Sequence, residues 1–155
     1  MRRRKAKIRK IFPDAKYGEV IVSRFINRLM DHGKKSVVEK AIYQSFEELE
    51  KKLKKHPVKI FEEALENIIP KVEVRSRRIG GATYQIPVEV SARRGSALAL
   101  KWLKTSIENI KGKSLASKVS IVILESIDGK GWAAKKKEEV FKMAEANKAF
   151  AHYKW

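Results

Sequence analysis

Apolar residues recur along most of this chain at three- and four-residue intervals, outlining helices punctuated by glycine and proline. Val22, Phe25, Ile26, Leu29 and Met30 form one stripe with Gly33 as the stop, which predicts a first helix over about 20–32. Ser36 and Glu39 stand at capping-box spacing, serine accepting from the glutamate's amide while the glutamate reaches back. They are expected to open a second helix carrying Ala41, Ile42, Phe46, Leu49 and Leu53. Pro57 suits the first turn of a third, with Phe61, Ala64, Leu65 and Ile68 as its stripe and Pro70 as its end. A fourth helix carries Leu98, Trp102, Leu103 and Ile110 and closes at Gly112; Ser91 and Ser96 both fit its cap, because Gly95 leaves the start open. Ser114 opens a fifth, with Leu115, Val119, Val122, Ile123 and Ile127, ended by Asp128 and Gly129. The sixth runs from about residue 132 to the end, with Val140, Met143, Ala144 and Phe150 facing inward.

Between the third and fourth helices the period changes to two. Val72 and Val74 alternate with polar residues, as do Ile86, Val88 and Val90, so residues 71–91 read as two antiparallel strands joined near Gly80 and Gly81. A two-residue turn there sets Val74 opposite Pro87 and splits the valines between faces. An odd loop of three or five residues instead pairs Val72 with Val90 and Val74 with Val88, and is the expected arrangement. On that register Arg75 and Arg77 share the opposite, wet face, Arg78 sits near the tip, and Arg93 and Arg94 stand at the root. An isolated ribbon is marginal in water, so this one is expected to lean on helices and project its arginines at a partner. The fold class is mainly α: one domain, residues 1–155, of about six helices with a projecting β-ribbon.

Composition adds the partner. Lysine and arginine outnumber aspartate and glutamate 36 to 18, a net charge of +18, and such a surface attracts polyanions. Residues 1–11 form a basic arm with seven cations in its first ten positions, Arg2, Arg3, Arg4, Lys5, Lys7, Arg9 and Lys10, and too little apolar content to fold alone. An arginine-rich, acid-free start also suits a mitochondrial presequence; the nucleic-acid-binding arm is the preferred reading. The chain has no cysteine, which removes disulfides and thiolate metal sites, and no apolar stretch long enough to span a bilayer. A soluble, intracellular protein, monomeric when free and with no membrane partner, is expected.

No constellation suggests catalysis. His32, His56 and His152 are isolated, and Asp14, Asp31 and Asp128 stand at no metal-ligand spacing from them. The glutamate pairs 47–48, 62–63 and 138–139 are helix neighbours that point apart. Nothing resembles a nucleotide-cofactor fingerprint, so no catalytic residue, metal or cofactor is expected. Basic clusters, in contrast, recur at helix ends and on the ribbon: the arm, Lys34 and Lys35, the ribbon arginines, Arg93 and Arg94, Lys101, Lys111 and Lys113, and Lys135, Lys136 and Lys137. Arginine's planar fork suits phosphates and bases in the arm and ribbon, while lysine serves as a point charge on the helices. Tyr84, Trp102, Tyr153 and Trp155 are candidate stackers on unpaired bases, though Trp102 shares its stripe with Leu98 and Leu103 and fits the core better.

The ribbon R-S-R-R-I-G-G-A-T-Y-Q-I-P-V-E-V, the turn D-H-G-K-K-S, the opening F-P-D-A-K-Y-G and the closing M-A-E-A-N-K-A-F-A-H-Y-K-W closely resemble the bacterial-type family of small-subunit ribosomal protein seven. The likeness spans almost the whole chain. It implies six helices with a projecting ribbon and a primary binder of small-subunit ribosomal RNA that nucleates assembly of the subunit head, at the subunit interface near the decoding region. It implies contacts with the ninth and eleventh small-subunit proteins. Arm residues 2–10, Lys34, Lys35, Arg75, Arg77, Arg78, Arg93 and Arg94 match segments the family uses on ribosomal RNA, and the tip around Gly80 and Gly81 and the C-terminal helix match parts facing exit-site transfer RNA and the messenger path. Two rivals are weaker. A DNA-bending ribbon protein needs an apolar wedge at its tip, where this chain has Gly80 and Gly81. A nuclease needs clustered carboxylates for metal ions.

Overall fold

The computed structural model describes residues 9–153. Arg2, Arg3, Arg4, Lys5 and Lys7 of the expected arm lie outside the described residues, as does Trp155. In chain order the elements are α1 (Val20–Leu29), α2 (Lys35–Leu53), α3 (Pro57–Ile68), β1 (Val72–Ile79), β2 (Ala82–Glu89), α4 (Ala92–Asn109), α5 (Leu115–Ile127), α6 (Gly131–Ala146) and a C-terminal 3-10 turn (Lys148–Tyr153). The fold is thus mainly α with one two-stranded antiparallel ribbon.

The helical stripes meet in one core. Val22, Phe25 and Ile26 of α1, Ile42, Phe46 and Leu49 of α2, Phe61 and Ile68 of α3, Leu103 of α4 and Ile123 of α5 are fully enclosed. Three phenyl rings knit the first three helices, Phe25 on Phe61 at 4.8 Å between centroids and Phe46 on Phe61 at 5.7 Å. Trp102 is 7% exposed and belongs to this core. Pro57 takes the first turn of α3 as expected, and Ser114 caps α5, its hydroxyl accepting from the Ser117 amide at 3.3 Å. Of the two candidate caps for α4, Ser91 holds the position, so Gly95 lies inside the helix. A Cβ there would come within 2.9 Å of Ile69 Cγ2, so glycine is what lets α4 approach the end of α3.

Several boundaries differ from expectation. The first helix stops at Leu29 and not near residue 32, because His32 and Gly33 both adopt positive φ (52° and 75°), which no right-handed helix accommodates. The capping box does not form: Lys34 is the cap of α2, Ser36 lies within its first turn without a capping bond, and Glu39 pairs with Lys35 at 3.3 Å. An i,i+4 cation has taken the glutamate. The last helix ends at Ala146, where the Asn147 side chain donates to the Met143 carbonyl at 2.8 Å and the backbone tightens into the 3-10 turn. Its buried face consists of Ala133, Ala134 and Ala144, small enough for close approach, while Met143, expected inward, is 46% exposed.

The ribbon register is the one set aside above. Gly80 and Gly81 form a strict two-residue turn with positive φ at both positions (55° and 89°), as a type I′ turn requires, and Ile79 pairs with Ala82. Val74 therefore lies opposite Pro87, Val72 opposite Glu89, and Glu73 opposite Val88. The valines are split because both faces of the root are covered. Val72, Pro87 and Glu89 line a groove of about 390 Å³ with Phe141 and Ala144 of α6, while the other face sends Glu73 to Arg94 of α4 and buries Ile86. The face shared by Arg75 and Arg77 is consequently covered in part: Arg75 stays exposed and Arg77 is half-buried, beside the buried Glu73 and Ile86.

Candidate nucleic-acid interface

Two helices and the entering chain build a strongly cationic concavity. On α1, Val20, Arg24 and Arg28 recur every four residues; on α4, Arg93, Ser96, Ala97 and Leu100 recur at helical spacing, and the two stripes face each other. Arg9, Lys10 and Ile11 close the groove, whose volume is about 530 Å³. Its lining has an apolar floor and five cations and contains no carboxylate. Among the described residues no acidic group pairs with Arg24, Arg28 or Arg93. On the other side of the entering chain, Lys35 lines a second groove of about 370 Å³ with the same residues 9–11. Arg9, Lys10, Lys35 and Arg93, expected from sequence, are thus joined here, and Arg24 and Arg28 are functional candidates that sequence reasoning missed. Their signal was available, two arginines four apart on a helix whose opposite face carries the apolar stripe Val22, Phe25, Ile26 and Leu29. The arrangement suits a phosphate backbone, with guanidinium groups on the rims and small side chains below.

The ribbon's arginines divide by partner. Glu73, 7% exposed, accepts from Arg75 Nε at 2.7 Å and Arg94 Nε at 3.1 Å. Burial pushes its carboxyl up, but the bonds from Arg75 and Arg94 outweigh burial and hold it below the ordinary glutamate value. Arg77 Nη1 donates to the Tyr153 carbonyl at 2.7 Å. Arg78 stays exposed at the tip, its Nε 3.4 Å from the Gly81 carbonyl. Tyr84 packs against Phe150 and Tyr153, with centroids 5.3 and 5.7 Å apart, so both tyrosines belong to a clasp between ribbon and C-terminal turn, and His152 lies on Tyr153 at 4.0 Å.

The remaining lysines are dispersed. Lys34 is exposed at the α2 cap, and Lys101, Lys111, Lys113 and Lys135 are exposed without lining the cationic groove. Lys136 pairs with Glu139 at 2.7 Å, and Lys137 donates to the Asn67 carbonyl at 2.7 Å, bracing α6 on α3. Among the described residues no three His, Asp or Glu side chains cluster as metal ligands, and no helix is long and apolar enough to cross a membrane.

The chain is similar to known proteins over its full length. A family model described as ribosomal protein S7p/S5e matches residues 1–148. A protein of Ruegeria pomeroyi named small ribosomal subunit protein uS7 is 49% identical over 154 residues, 99% of each chain. Its namesake in Pseudothermotoga lettingae is 50% identical over 155 residues, and that in Petrotoga mobilis 47% over 155, in both cases covering all of each chain.

Proposed function

The chain belongs to the ribosomal protein S7p/S5e family, and from that premise we propose that it is a primary binder of small-subunit ribosomal RNA that nucleates assembly of the subunit head. It is a structural, non-enzymatic protein of the small ribosomal subunit, which in bacteria is cytoplasmic. The observation that carries the RNA reading is the groove between α1 and α4, where five cations surround an apolar floor and no carboxylate intervenes. Several RNA helices would each lose counterions to one cationic cluster, the groove, the N-terminal arm and the exposed ribbon tip, so that a single folded domain clamps their junction. The ribbon tip and C-terminal turn face exit-site transfer RNA and the messenger path, and the ninth and eleventh small-subunit proteins are neighbours. What supports a shared ligand for ribbon and turn is the clasp of Tyr84, Phe150 and Tyr153 that makes them one surface. Filter binding to the isolated head domain of small-subunit ribosomal RNA, with transfer RNA and duplex DNA as competitors, tests this. Head RNA is expected to resist both competitors; equal affinity for all three would reduce the chain to a nonspecific cation.

A further inference from the structure

Residues 9–13 belong to no helix or strand and make no hydrogen bond among the described residues, yet Arg9, Lys10 and Ile11 lie along the cationic groove. The next residue fixes their course. Asp14 is buried, and one of its carboxylate oxygens accepts from the backbone amides of Lys16 and Tyr17, both at 3.1 Å. The other accepts from the Tyr43 hydroxyl of α2 at 2.8 Å. The Asp14 carbonyl also accepts from the Gly18 amide at 3.0 Å, closing the turn. Burial and the bond to Asp14 push the Tyr43 hydroxyl up to about 12, so it remains a donor at any working pH. The chain therefore leaves the body of the protein from a bolted turn.

Two residues before the bolt stands Phe12, 82% exposed, the most exposed large apolar side chain among the described residues and one without a ring partner there. A phenyl ring held in water forgoes the gain of burial. Here it sits beside Arg9 and Lys10, with Lys35 across the second groove. Cations that hold a backbone beside a free aromatic face are what readers of unpaired RNA combine. Resting on the RNA-binding reading above, we propose that Phe12 is a nucleobase-stacking residue, aimed by the Asp14 bolt, that takes an unpaired base of the strand whose phosphates lie on Arg9 and Lys10. Asp14 and Tyr43 are positioning residues. The Asp14 carboxylate accepts from all three donors at once, two backbone amides on one oxygen and the Tyr43 hydroxyl on the other, and a side chain without oxygens there would leave all three unpaired.

The test is head-domain RNA binding by the full chain and its variants. Phe12→Leu keeps an apolar side chain but no aromatic face, and is expected to weaken binding about 5- to 150-fold, the range for loss of one stacked base. Phe12→Tyr is expected to restore it. Asp14→Ala and Tyr43→Phe are each expected to weaken binding and to shrink the further loss caused by Phe12→Leu, since a misaimed ring has less to lose. Full binding by Phe12→Leu would overturn the stacking role and assign Phe12 to an apolar protein contact. Losses that simply add would overturn the positioning role of Asp14. Failure of the parent chain to bind the RNA would instead overturn the reading on which the proposal rests.

Discussion

Replacing Glu73 by glutamine tests how the ribbon is held to the helices. The carboxylate takes hydrogen bonds from Arg75 and Arg94, and so ties β1 to α4 across the ribbon root. Charge-assisted bonds of this kind contribute about 1.5–3 kcal/mol each when shielded. The two arginine side chains are 63% and 53% exposed, so water takes over much of the interaction, and we expect a total loss of about 1–2 kcal/mol. For a chain of this size that lowers the melting temperature by about 2–8 °C at pH 7. Because the folded pKa of Glu73 lies below its ordinary value of 4.5, the contribution is fully present above that value and is lost as pH falls through the folded pKa. Parent and variant melts, followed by circular dichroism from pH 7 downward, are therefore expected to converge as pH falls below the folded pKa of Glu73. Asp31 and Glu47 also have lowered pKa values, Asp31 through its bond to Lys104 and Glu47 through its bond to Lys16, but both are present in both proteins and cancel in the difference. A gap that persists unchanged in acid, or no gap at pH 7, would refute the role assigned to Glu73.

The other predictions separate ribbon, turn and tip. Removing residues 147–155 takes away Phe150 and Tyr153, so the amides of β2 are expected to exchange with solvent faster while the melting of the helical core stays put; unchanged exchange would show that the clasp holds nothing. Arg77→Ala is expected to loosen the same turn, and Arg78→Ala to leave exchange untouched while weakening RNA binding, so identical behaviour of the two would contradict the division of the arginines. Gly81→Ala meets open space but a φ of 89°, and is expected to cost about 1–2 kcal/mol confined to the ribbon, read as lost protection of the tip amides with an unaltered core.

The helices were legible because a stripe of buried residues is a local property: Val22, Phe25, Ile26 and Leu29 announce a buried face wherever the partner lies. The ribbon register was not, because alternation within one strand fixes which residues share a side and says nothing of the offset to the next strand. Requiring the valines to oppose one another assumed one dry face, and the structure covers both, with Glu73 made tolerable by two arginines that are 21 residues or fewer away in sequence. The capping box failed for a related reason, since Lys35 competes for Glu39 in a chain of +18. At the candidate site, clustered cations such as Lys34 and Lys35 were easy to see, whereas Arg24 and Arg28 are separated in sequence by the core residues Phe25 and Ile26 and the exposed Asn27, and become neighbours only on the helix surface. Arg77 and Tyr84 read as free ribbon groups because the break at Asn147, which returns Phe150 and Tyr153 to the ribbon, has no strong local signature.

The central claim, a clamp of many phosphate contacts, is tested most directly by the salt dependence of binding to the head-domain RNA. About eight neutralised phosphates give a log-log slope of roughly −6 to −7 at about 0.7 to 0.9 per contact. A chain carrying Arg24→Ala, Arg28→Ala and Arg93→Ala is expected to show a slope shallower by about 2–3 with its melting temperature unchanged. A parent slope shallower than about −2, or a slope indifferent to the three substitutions, would contradict the account.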